Sequence, residues 1–75
     1  MTYHKRITID QAVMVGKPVI TGTRIPVDLV LAKLARNIDV KTILRDYPRL
    51  TRQDIQAVLR YAHEIIAGED VYPTA

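Results

Sequence analysis

The sequence predicts a mainly α fold, a trihelical helix-turn-helix bundle preceded by a short β element. Apolar residues recur with helical period from residue 28 onward, and the pattern is interrupted at Arg36-Asn37 and again at Pro48-Arg49-Leu50. Cap-forming residues, Asp39 and Thr51, stand where the second and third stretches begin. Before residue 27 the period is instead that of a strand, in Ile7-Thr8-Ile9, with the β-branched pair Val19-Ile20 behind it. The 75 residues are read as one domain: a β element over 7–26, a three-helix core over 28–67 and an acidic tail over 68–75.

Ile7-Thr8-Ile9 follows a basic leader holding Lys5 and Arg6 and is too short to stand alone. Pairing with Val19-Ile20, in its own chain or in a second copy, would satisfy its backbone groups. Ile7, Ile9, Val19 and Ile20 are therefore the candidate dimer contacts. The glycine-bearing stretch 16–26, GKPVITGTRIP, is not a phosphate-binding loop. Gly22 is followed by Thr23 rather than Lys, and Pro18 removes an N–H donor that a phosphate cradle would use. Val19-Ile20 reads as a strand, Thr21-Gly22-Thr23 as a turn and Ile25 as resumed extended chain, with Pro26 suited to the first turn of a helix.

The first helix starts at Asp28 and ends around Arg36-Asn37. Leu29, Val30, Ala32, Leu34 and Ala35 leave it so little polar surface that it is expected to be buried against both other helices or a partner chain. Asp39 caps the second helix, in which Val40, Ile43, Leu44 and Tyr47 fall at i, i+3, i+4 and i+7, and Pro48 stops it. Thr51 with Asp54 three positions on resembles a capping box, and the third helix runs towards Gly68. At 100° per residue, Ile55, Val58, Leu59, Ala62, Ile65 and Ile66 share an arc of about 120° and are the expected core face. Arg52, Gln53, Gln56, Arg60, His63 and Glu64 occupy the opposite arc.

A domain of this size buries only about 60% of its unfolded surface. Without cysteine there is no disulfide framework or thiolate metal site, which suits an intracellular, cytoplasmic protein that gains stability by self-association. No apolar run approaches the roughly 20 residues that span a bilayer, and the N-terminus lacks a signal-peptide apolar core, so no membrane role is expected. The net charge of +3 is unevenly spread. Residues 1–27 carry four basic and one acidic group, residues 28–60 seven and four, and residues 61–75 none and three. A basic body suits an anionic partner such as nucleic acid, although solvated Lys and Arg decorate most soluble domains.

In a helix-turn-helix the start of the last helix enters the major groove, and here that start carries Arg52, Gln53, Gln56 and Arg60. Arg can donate two hydrogen bonds to guanine O6 and N7, and Gln can pair with adenine N6 and N7, so these four are the candidate base readers. Lys41 and Arg45 on the preceding helix and Arg49 in the turn are candidates for phosphate contacts, which hold register without specifying sequence. The alternative is that the outer face of an amphipathic helix is simply solvated, on a fold that makes protein contacts instead.

Nothing points to catalysis. His4 and His63 have no second imidazole, cysteine or spaced carboxylate pair to complete a metal site, and Asp28, Asp39 and Asp54 are accounted for at helix starts. No nucleophile–base pair can be assigned, so no enzyme, cofactor or metal is expected. The tail mixes Glu69 and Asp70 with Val71, Tyr72 and Pro73. It reads either as a disordered end or, through Val71 and Tyr72, as a segment that orders against a basic, apolar groove of a partner protein.

Taken together, ITID at 7–10, GKPVITGTRIPVDLVL at 16–31 and ILRDYPRLTRQDIQAVLRYA at 43–62 resemble the domain of unknown function 433 family. That family is regarded as VapB-like antitoxins of bacteria and archaea. The resemblance implies a homeodomain-like trihelical fold with an N-terminal β element, commonly dimeric and often paired with a toxin of PIN-like nuclease fold. It implies a double-stranded DNA-binding autoregulator that also neutralises its toxin, with Arg52, Gln53, Gln56 and Arg60 on the recognition helix. The Gly16–Pro26 motif would be architecture, with Lys17 and Arg24 contacting either phosphate or acidic groups across an interface. One departure is the tail, about eight residues long and short for wrapping a nuclease, which makes DNA binding the firmer expectation.

Overall fold

Three strands and three helices follow one another in a computed structural model that describes residues 2–12 and 14–68 of the chain. The strands are β1 (Thr2–His4), β2 (Ile7–Thr8) and β3 (Val19–Ile20), and the helices are α1 (Val27–Ala35), α2 (Val40–Asp46) and α3 (Arg52–Gly68). A single 3-10 turn, Met14–Gly16, lies between β2 and β3. The fold is mainly α with a short N-terminal β element, as its sequence predicts.

The β element pairs within its own chain. The sheet order is β1-β2-β3, both pairings antiparallel, with Ile7 opposite Ile20 and Thr8 opposite Val19. Of the two pairings open to Ile7-Thr8, the intramolecular one is present. Strand β1 is not foreseen by the sequence, in which the residues before Ile7 read as a leader; Lys5-Arg6 is the turn of a β1–β2 hairpin. After β3 the chain turns at Gly22, with φ of +80°, and returns so that Ile20 N–H donates to the Ile25 carbonyl at 3.0 Å and Val19 pairs with Pro26. The short hairpin feeding a helix is therefore formed. Pro26 sits one place earlier than expected, as the extended N-cap of α1 rather than in its first turn.

The helix ends follow from local chemistry. Helix α1 closes in a Schellman motif: Asn37, at φ +65°, donates to the Leu34 carbonyl at 3.0 Å, and Ile38 donates to Lys33 at 3.1 Å. Asparagine tolerates this left-handed geometry better than most residues, so the chain can reverse without glycine. Asp39 then caps α2, accepting from Thr42 N–H at 2.9 Å. Lys33 Nζ lies 5.7 Å from the centroid of the Tyr47 ring, tying α1 to the end of α2.

The core joins both halves of the chain. Ile7 and Ile20 from the sheet, Val27 and Val30 from α1, Ile43 from α2 and Val58 from α3 are all fully buried in one cluster. Helix α1 packs on both other helices, as anticipated, but only Val27 and Val30 are buried; Ala32 and Ala35 face solvent and Leu29 is half-buried.

Helix α3 differs most from its sequence reading. Its buried residues are Asp54, Ile55, Ala57, Val58 and Tyr61, whereas Leu59, Ile65 and Ile66 are 45%, 42% and 70% exposed. At 100° per residue Asp54, Val58 and Tyr61 fall within about 60°, and Leu59 and Ile66 lie more than about 100° from the centre of that arc. An arc drawn through apolar residues alone cannot include Asp54, which is buried because it is capped and ion-paired. Ile65 shares the buried azimuth but lies two turns beyond Val58, past the last layer of core.

Candidate nucleic-acid interface

The start of α3 is held by three hydrogen bonds that involve side chains. Thr51 Oγ1 accepts from Asp54 N–H at 3.2 Å, and Asp54 Oδ2 accepts from Thr51 N–H at 2.9 Å, the reciprocal pair of a capping box. The other carboxylate oxygen, Oδ1, accepts from Arg6 Nη1 at 3.0 Å. Asp54 is thus satisfied on both oxygens, which is what allows its side chain to be 9% exposed while Arg6 remains 44% exposed. The cap fixes the helix start, and the ion pair fixes the β1–β2 turn against it.

All four candidate base readers, Arg52, Gln53, Gln56 and Arg60, are exposed. Gln53, Gln56 and Arg60 line one open groove of about 620 Å³, whose other wall is the Lys5-Arg6 turn. Glu64, one turn beyond Arg60, gives that groove an acidic far end. Arg52 does not line this groove.

The candidate phosphate contacts separate. Arg49 Nη2 donates to the Gly22 carbonyl at 2.9 Å, joining the α2–α3 connection to the turn after β3. It lines a second groove, of about 550 Å³, together with Thr8, Thr23 and Arg24. Arg45 pairs with Asp46 at 3.5 Å on the open surface, an ion pair of little energetic weight. Lys41 is exposed on α2 and lines neither groove.

Of the expected dimer contacts, Ile7, Val19 and Ile20 are buried within the chain's own core, and Ile9 is half-buried against it. Those buried side chains are therefore not available to a second copy. Of the exposed large apolar residues among the described ones, Val15 lies in the turn before β3 and Leu59, Ile65 and Ile66 lie on α3, where Ala62 stands between Leu59 and Ile66 at spacings of three and four. Val71 and Tyr72 lie outside the described residues.

Sequence reasoning misses Lys5 and Arg6 as part of this surface and leaves Arg24 undecided. A Lys-Arg turn lacks the Gly, Asn or Pro that ordinarily announces a hairpin, and it is placed at α3 by the Arg6–Asp54 contact, across 48 positions. Among the described residues no group of three or more His, Cys, Asp or Glu side chains could hold a metal ion, and no helix is long and apolar enough to cross a membrane.

No solved structure matches this chain significantly. An "Uncharacterized protein" of Archaeoglobus fulgidus is 71% identical over 24 residues, which cover 32% of this chain and 67% of that protein. The family model described as "Protein of unknown function (DUF433)" matches residues 7–62, from the start of β2 to well within α3, and the chain belongs to that family.

Proposed function

We propose that this chain is a dimeric, DNA-binding antitoxin that autoregulates its own operon and neutralises a nuclease toxin of PIN-like fold. The observation that carries the DNA-binding part is the exposed face of α3, where Arg52, Gln53, Gln56 and Arg60 project from a helix whose first turn is locked by Thr51, Asp54 and Arg6. A rigid start matters because base readout depends on directional, bidentate hydrogen bonds, each good pair discriminating by about 1–3 kcal/mol. In this reading α2 and α3 act as a helix-turn-helix, the preceding helix crossing the backbone. The toxin-neutralising part rests on the resemblance to VapB-like antitoxins. The chain itself is proposed to do no chemistry.

A dimer would place two recognition helices in successive major grooves, about 34 Å apart. The apolar series Leu59, Ala62, Ile66 supports self-association through the distal half of α3, with Ala62 small enough for close helix approach. The same exposed apolar residues favour a second reading, a protein-interaction module that holds a partner without specific DNA binding.

A fluorescence titration against the chain's own upstream DNA and a scrambled duplex, each at two salt concentrations, separates the readings. A regulator gives a specificity ratio of about 10³ or more. Arg52→Ala then loses about 1–3 kcal/mol on the specific site only, while Lys41→Ala weakens both duplexes alike. Equal, weak and salt-sensitive binding to both duplexes overturns the DNA reading in favour of the interaction module.

A further inference from the structure

The two turns of the β element are hydrogen-bonded to one another, to the α2–α3 connection and to the first turn of α3. Thr21 N–H donates to the Arg6 carbonyl at 2.8 Å, joining the turn after β3 to the β1–β2 turn. Arg6 reaches Asp54 in the first turn of α3, and Arg49, before α3, reaches the Gly22 carbonyl. Each turn carries an exposed cation, Lys5 in one and Arg24 in the other. Lys5 borders the groove that holds Gln53, Gln56 and Arg60, and Arg24 borders the groove that holds Arg49. Neither makes an ion pair among the described residues, whereas Arg6 is committed to Asp54.

We propose that Lys5 and Arg24 bind phosphate, and that the β element is a backbone clamp holding duplex DNA against α3. This rests on the DNA-binding reading above and adds to it a site on the β element. The clamp follows from the division of labour between neighbouring cations. Arg6 and Arg49 are used to fix the two turns. Lys5 and Arg24, one residue before Arg6 and two after Gly22, set their charge along the rims of the two grooves. A phosphate backbone is the occupant such a rim suits, since a Lys point charge and an Arg fork bind phosphate without requiring a particular base. A second basic cluster, Lys17 before β3 with Lys33 and Arg36 at the end of α1, shares its groove with Asp28, and that groove includes no residue of either turn.

The test is the dependence of binding on salt, measured with the same two duplexes for wild type, Lys5→Gln, Arg24→Gln and the α1 control Arg36→Gln. Removing one phosphate-binding cation flattens the plot of log K against log salt by about 0.9. Lys5→Gln and Arg24→Gln are each expected to do so, weakening both duplexes by the same factor and leaving the specificity ratio unchanged, while Arg36→Gln keeps the wild-type slope. Thermal melts of the same proteins establish that all three variants fold. If wild type shows its specificity ratio and both β-element variants keep the wild-type slope, the clamp is wrong and the DNA reading survives. If Arg36→Gln flattens the slope instead, the backbone runs along α1 and the clamp is again wrong. Wild type with no specificity for either duplex overturns the DNA reading and the clamp together.

Discussion

Arg6 and Asp54, 48 positions apart, meet at 3.0 Å and join the N-terminal hairpin to the first turn of α3. Removing the carboxylate strips an acceptor from Thr51 N–H as well as from Arg6, so Asp54→Ala is expected to cost about 1–3 kcal/mol. Arg6→Ala leaves the capping box in place and, with the guanidinium 44% exposed, should cost about 1 kcal/mol or less. Urea unfolding of both single variants and the double variant measures the coupling directly. Additive losses would show that the ion pair contributes nothing and that Asp54 matters only as a cap.

The core and the distal half of α3 should respond in opposite ways to truncation. Ile43 is fully buried, and Ile43→Ala is expected to cost about 2–5 kcal/mol. Ile66, 70% exposed, should tolerate Ala within about 0.5 kcal/mol in the monomer. Comparable losses at the two positions in chemical denaturation would place Ile66 in a core and contradict its exposure.

Self-association should be lost when Leu59 and Ile66 are both replaced by Gln, with the fold retained. Sedimentation velocity on wild type and the double variant reads this directly. A wild-type protein that stays monomeric at high concentration, or a double variant that still dimerises, would remove α3 as the dimer face.

Gly22 occupies the left-handed region at φ +80°, and a Cβ added there would meet nothing within 4 Å. The penalty for Gly22→Ala is therefore conformational rather than steric, about 1 kcal/mol, and Gly22→Asn should cost less because Asn visits this region more readily. Equal melting temperatures for wild type and both variants would mean that the turn does not need this conformation.

Stability should fall in acid partly through Asp39. Its carboxyl is held below the ordinary aspartate value by hydrogen bonds from the Thr42 side chain and then the Thr42 backbone N–H, with a further contribution from the Arg45 charge. Because the folded value lies below the unfolded one, this stabilisation is present above about pH 4 and is lost as pH falls through the folded value. The stability difference between wild type and Asp39→Asn should accordingly shrink on acidification, and a difference that stays constant down to the acid limit would refute the role.

Much of this architecture is legible in residue order. Asp39 as a cap, the reciprocal Thr51 and Asp54, the stop before Pro48 and the turn at Gly22 all depend on groups within a few positions of one another. Local hydrogen bonding and dihedral preference decide such features, and these are properties of short segments. The polar face of α3, carrying Arg52, Gln53, Gln56 and Arg60, follows from helical periodicity in the same way.

Tertiary structure alone decided which apolar residues the protein uses for itself. Periodicity ranks Leu59 and Ile66 with Val58, but the sheet and the other helices reach α3 from the side of Asp54 and Tyr61, so Val58 is buried and the other two are not. It likewise turned Ile7, Val19 and Ile20 into a private core, and brought Lys5 beside Gln53, Gln56 and Arg60 of α3 and Arg24 beside Arg49. The physical reason is the same in each case. A short segment sets its own conformation through groups a few residues away, whereas burial and the neighbours of a charge depend on partners up to 48 residues distant, which no periodicity encodes.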